Sequence, residues 1–214
     1  MSTAQQTLEA IQDIRRMMER SSRFISLSGW SGVAAGICAL IGAWLGQQRL
    51  NRYFDEYSPG NNCPSCLRDD LLTIAGGVLI GAVITAFLFT YFKSKKDGVQ
   101  IWGTTSRRLV WNTLLPMIAG GFIILRMVDL KHYELLAGTC LIVYGLALIN
   151  GSKYTLGEIR YLGYAELITG IISLWVPRYG IYFWAFGFGI LHIVYGLTMW
   201  LKYDNKKEPE VTAG

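Results

Sequence analysis

Charged residues vanish from three long stretches of the chain, Phe24–Gly46, Leu71–Phe92 and Tyr179–Leu201. Each is longer than the about 20 residues that a helix rising about 1.5 Å per residue needs to cross a hydrocarbon layer of about 30 Å. Three shorter apolar stretches follow. Leu109–Leu125 and Leu135–Gly151 carry no charge, and Tyr161–Pro177 is interrupted only by Glu166. None shows the polar stripe that a helix of a water-soluble bundle keeps for solvent. The pattern predicts an all-α integral membrane protein, a six-transmembrane-helix bundle with spans at about 24–46, 71–92, 109–128, 134–151, 161–177 and 180–202. The membrane domain runs over 24–203, with an external loop at 47–70 and a cytoplasmic tail at 204–214.

Ahead of the first span, Leu8, Ile11, Ile14, Met18 and Ile25 recur at helical spacing, while Glu9, Asp13, Arg16, Glu19 and Arg20 point elsewhere. Residues 1–23 therefore read as an amphipathic helix. It either lies on the membrane surface or docks a protein partner or a second copy of the chain, and both uses need the same apolar face. A polar, helical start is unlike a cleavable signal peptide, so the first span is expected to serve as its own uncleaved signal.

Composition agrees with this class, at 52% hydrophobic and only 16% charged residues. The net charge of +5 matters through its placement. With six spans, Arg15, Arg16, Arg20, Arg23, Lys93, Lys95, Lys96, Arg107, Arg108, Lys153, Arg160, Lys202, Lys206 and Lys207 fall on one side. Only Arg49, Arg52, Arg68, Arg126, Lys131 and Arg178 fall on the other. That asymmetry places both termini in the cytoplasm and assigns the basic residues to lipid headgroups rather than nucleic acid. No phosphate loop, dinucleotide fingerprint or zinc spacing is present, so no cofactor, metal or enzymatic activity is expected.

The last four spans repeat. Gly138-Thr139-Cys140-Leu141-Ile142-Val143-Tyr144-Gly145-Leu146 aligns with Gly189-Ile190-Leu191-His192-Ile193-Val194-Tyr195-Gly196-Leu197, and Met117–Gly120 aligns with Leu167–Gly170. Helices three and four thus read as a copy of five and six, and Ala35-Gly36-Ile37-Cys38 resembles the odd-helix element, which makes tandem two-helix hairpins the expected build. The run Gly170-Ile171-Ile172-Ser173-Leu174-Trp175-Val176-Pro177, followed by an aromatic helix with Gly187, Gly189 and Gly196, resembles the HdeD-like family of small six-span bacterial membrane proteins. The first and third spans lack the proline ending, and the Cys-containing loop is foreign to the pattern. The resemblance implies a role in envelope stress response and brings no catalytic residues with it.

Candidate chemistry is sparse. Glu166 is the only acidic residue well inside a span, and His192 lies near the middle of the last one, with Asn112 at a depth comparable to Glu166. These three form a candidate proton or ion site, against the plainer reading of an interfacial carboxylate and a histidine hydrogen-bonded between helices. Cys63 and Cys66 sit in a Cys-x-x-Cys turn on the external side, as a structural disulfide or a redox pair. Arg126, Asp129 and Glu134 gather with Lys131 and His132 in an external charged cluster at the turn between helices three and four. Gly32, Gly36, Gly77, Gly81, Gly138, Gly145, Gly189 and Gly196 are assigned to helix packing, where a missing side chain allows backbones to approach. Three functions follow: a structural or regulatory membrane protein presenting its cytoplasmic and external elements to partners, a small proton- or cation-coupled transporter or channel using Glu166 and His192, or a thiol-disulfide protein using Cys63 and Cys66.

Overall fold

The computed structural model describes residues 28–55, 63–96, 98 and 102–204. The amphipathic helix expected at 1–23 lies outside the described residues, as do the middle of the loop at 47–70 and the tail beyond Asp204. Five helices come first: α1 Gly29–Asp55, α2 Pro64–Lys96, α3 Thr104–Asp129, α4 Leu136–Gly151 and α5 Ile159–Trp175. The sixth rod is composite, with α6 Gly180–Trp184, a π-helical stretch Ala185–Leu191, α7 His192–Met199 and a second π-helical stretch Trp200–Asp204. A straight α-helix was the expectation from the apolar pattern, which is the same for either hydrogen-bond period. Single 3₁₀ turns at Tyr133–Leu135, Ser152–Tyr154 and Pro177–Tyr179 join the later rods, and no β-sheet occurs among the described residues. Five rods are long and apolar enough to cross a membrane by length and composition alone. The remaining rod, α5, has 17 residues, about 25 Å of helix.

The bundle is a multi-pass membrane structure centred on α1, α4, α5 and the sixth rod. α2 packs mainly against α1, α3 mainly against α4, and the sixth rod lies between α1 on one side and α4 and α5 on the other. Gly29 lies against the Trp200 backbone, and the Trp30 and Trp200 rings meet edge to face at 5.9 Å. The start of α1 and the end of the sixth rod therefore share one face of the bundle, called here the terminal face. Cys63 and the α3–α4 turn lie on the far face.

Where lipid surrounds the rods there is no hydrophobic drive between them, and close backbone contact substitutes for it. A Cβ on Gly138 would sit 2.9 Å from the Gly170 carbonyl oxygen, and one on Gly145 would sit 2.7 Å from that of Gly163. The same antiparallel pairing recurs between α1 and the sixth rod, where a Cβ on Gly36 would sit 2.6 Å from the Gly189 carbonyl oxygen and one on Gly196 2.6 Å from that of Gly29. A Cβ on Gly32 would sit 3.1 Å from the Gly196 Cα. Gly77 and Gly81 depart from the packing expected of them. Nothing lies within 4 Å of a Cβ placed on either, because α2 meets α1 through another face.

Candidate functional site

Helix α5 buries Ile159, Leu162, Gly163, Glu166, Thr169, Gly170 and Ser173, a face built at spacings of three and four. Its aromatic residues point the other way: Tyr161 is 74% and Trp175 85% exposed, whereas Glu166 is 0%. Small and polar side chains face inward and aromatic ones outward, the reverse of a helix at a water surface and the expected order for one in lipid.

Glu166 projects into the π-helical part of the sixth rod. A Cβ on Gly187 would fall 2.6 Å from Glu166 Oε2 and 2.3 Å from Leu141 Cδ2, so only glycine leaves room for the carboxyl there. His192 follows one wide turn later. Its Nδ1 atom is 3.2 Å from the Gly187 carbonyl oxygen and 3.2 Å from Glu166 Oε1. The contact with Gly187 has hydrogen-bond geometry, whereas neither oxygen of Glu166 makes a hydrogen bond. The other ring nitrogen, Nε2, lies 2.9 Å from the Tyr144 hydroxyl on α4. The Tyr144 and His192 rings stack at 5.4 Å, and Phe188 lies 5.2 Å from Tyr144 and 5.3 Å from Trp184. Three rods thus deliver a carboxyl, an imidazole and a phenol to one buried point under an aromatic cover.

The electrostatics of that point follow from proton count. One acid proton shared between Glu166 and His192 leaves the pair with no net charge, whether it rests on the carboxyl or makes an ion pair. Removing it or adding another creates a net charge at membrane depth, which is costly without water or a counter-ion. Two further hydroxyls, Ser173 Oγ on α5 and Tyr195 Oη on α7, are buried without a hydrogen-bond partner, each an expense of about 1–3 kcal/mol. Among the described residues no group of three or more His, Cys, Asp or Glu is arranged to hold a metal.

On the terminal face, Glu158 Oε1 accepts hydrogen bonds from Lys202 Nζ and, at 2.7 Å, from the Tyr203 hydroxyl. Partial burial pushes the Glu158 carboxyl up, but the two hydrogen bonds and the Lys202 charge outweigh this and hold it below the usual carboxylate range. Tyr195 lies within electrostatic reach of Glu158, Tyr203 and Tyr144.

Asn112 is placed elsewhere. Its backbone carbonyl accepts from Asn150 Nδ2 at 2.8 Å and its side chain donates to the Arg108 carbonyl at 2.8 Å, which ties it to the α3–α4 contact rather than to Glu166. Cys63 and Cys66 are exposed and joined by a disulfide with Cα atoms 5.2 Å apart, at the start of α2. At the far face, Arg126 and Asp129 approach to 4.0 Å and Glu134 meets His132 at 3.6 Å, all exposed. The turn they decorate is a Schellman closure of α3: the His132 N–H reaches the Met127 carbonyl, the Lys131 N–H reaches that of Val128, and Lys131 takes φ 64°.

The residues hardest to find from sequence are Tyr144, Tyr195, Ser173 and Gly187. One signal was available for two of them: Tyr144 and Tyr195 occupy matched positions of the repeat beginning at Gly138 and Gly189. Compared with protein-family models, with curated proteins and with solved structures, the chain matches none. The resemblance to the HdeD-like family therefore rests on the quoted residues alone.

Proposed function

We propose that this chain is a small proton- or cation-coupled transporter or channel in which Glu166 and His192 form the ion site. The observation that carries the reading is the Glu166 carboxyl, fully buried, with neither oxygen hydrogen-bonded, 3.2 Å from a histidine that a third helix also engages. A structural carboxylate at such depth would be expected to have its oxygens satisfied. The basic-residue asymmetry supports cytoplasmic termini, the HdeD-like resemblance would put the chain in a bacterial inner membrane, and the recurrence of glycine contacts at α4–α5 and α1–sixth rod supports a build from tandem hairpins. The structural or regulatory reading has less behind it, since the helix it relies on lies outside the described residues. The test is ion flux in proteoliposomes containing the purified chain. Glu166→Gln keeps the side-chain size and removes the titrating group, and it should lower proton or cation flux by roughly tenfold or more. Equal flux in the two proteins would remove Glu166 from the mechanism.

A further inference from the structure

The buried groups that lack partners are not scattered. Among the described residues they are Ser94 Oγ on α2, both oxygens of Glu166, Ser173 Oγ and Tyr195 Oη. Apart from Ser94, all belong to α5 and the sixth rod, at successive depths in the bundle. Ser173 lies seven residues beyond Glu166 on the same buried face of α5, about 10 Å towards the far face. Tyr195 lies three residues beyond His192 on α7, towards the terminal face, where Glu158 meets Lys202 and Tyr203. Between these hydroxyls stand Glu166, His192 and Tyr144, at 3.2 Å and 2.9 Å from one to the next.

Resting on the ion-site reading above, we propose that the transported species is the proton and that Ser173 and Tyr195 extend the Glu166–His192–Tyr144 contact into a path across the bundle, with its terminal-face mouth at Glu158, Lys202 and Tyr203. A metal or alkali cation is poorly served here. Glu166 and His192 are only two donors, and both imidazole nitrogens already face partners. A proton needs only groups able to give and take hydrogen. When His192 carries its proton on Nε2, a proton on Glu166 Oε1 moves to Nδ1, leaving carboxylate and imidazolium. The Nε2 proton then passes to Tyr144 Oη as that hydroxyl releases its own towards Tyr195. One proton has left at Tyr144 and Glu166 is a carboxylate, which takes up the next proton from the Ser173 side to close the cycle, with no electrons exchanged. The ring is left as the other tautomer, the one whose Nδ1–H meets the Gly187 carbonyl, and rotation of the imidazole resets it. The longer steps from Ser173 to Glu166 and from Tyr144 to Tyr195 require bridging water.

The charged and titratable groups along this path are Glu166 from α5, Tyr144 from α4, His192 and Tyr195 from α7, and the Glu158–Lys202–Tyr203 cluster at the mouth. The experiment uses the full chain in vesicles of phosphatidylcholine and phosphatidylglycerol with a pH dye inside, driven by a potassium diffusion potential, with detergent thermal melts in parallel. Tyr195→Phe and Ser173→Ala each remove a hydroxyl that bonds to nothing, so folding should be unchanged or improved while proton flux falls roughly tenfold or more. Ser173→Thr should keep it. Full flux in either Tyr195→Phe or Ser173→Ala, with Glu166→Gln inactive, overturns the path and leaves the Glu166 site standing. No proton flux in the unmodified chain overturns the path, and the ion-site reading falls with it only if alkali-cation flux in the same vesicles is absent too.

Discussion

Pro116, inside α3, has no N–H to give the carbonyl four residues earlier, which belongs to Asn112. Asn150 of α4 supplies the missing donor at 2.8 Å. In lipid an unsatisfied carbonyl has no water to turn to, so this bond both repairs α3 and holds it to α4. Asn150→Ala should destabilise the bundle by about 1–3 kcal/mol, measured by unfolding in mixed micelles. In a Pro116→Ala background, where the backbone N–H is restored, the same change should cost much less. Equal costs in the two backgrounds would show that Asn150 serves something else. Glu166 and His192 stood out in the sequence because a charge or an imidazole in an apolar run is conspicuous. The partner of Asn112 did not, since a carbonyl orphaned by proline and a donor 34 residues after that proline are related only through helix packing. The seat that Gly187 provides for the carboxyl was hidden for the same reason.

At the scale of elements, glycines act in facing pairs. Two glycines seven apart on α4, Gly138 and Gly145, meet Gly170 and Gly163 of α5, and Gly29 and Gly36 of α1 meet Gly196 and Gly189. A methyl group at Gly196 would press against the α1 backbone at 2.6 Å, which no side-chain rotation relieves. Gly196→Ala should therefore cost about 1–3 kcal/mol in the same unfolding assay, whereas Gly77→Ala, facing open space, should be neutral or mildly stabilising. If both variants melt alike, the close approach is not what holds α1 to the sixth rod. The spacing of these residues was readable, as was the apolar length of most rods. Which spaced glycines find a partner was not, and Gly77 and Gly81 show why: spacing defines a face of a helix but not its neighbour.

For the molecule as a whole, the reversed amphipathicity of α5 and the outward aromatic residues mark the surrounding medium as apolar. The terminal face is closed where Glu158 takes hydrogen bonds from Lys202 and Tyr203. Because the Glu158 carboxyl is held below its ordinary range, its contribution to stability is complete above the unfolded carboxylate value and is lost as pH falls through the lower folded value. Thermal melts of the wild type and of Glu158→Gln should differ at about pH 7, and the gap should close as pH falls below the ordinary carboxylate range. A constant gap across that range would contradict this account. The number and order of the rods were legible, but not their ends, since helix runs on to Asp55 and resumes at Pro64 inside the segment expected as the loop 47–70; nor was the closing contact of first rod with last, because the repeat is silent on how its copies are arranged around an axis. That contact also has a consequence in time. The face of α1 bearing Gly29, Gly32 and Gly36 finds its mate only after Gly189 and Gly196 have been synthesised, on the order of 10–30 s later at ribosomal speed. A chain interrupted before its last helix leaves that glycine face of the first one bare to lipid, even though α2 already covers another face.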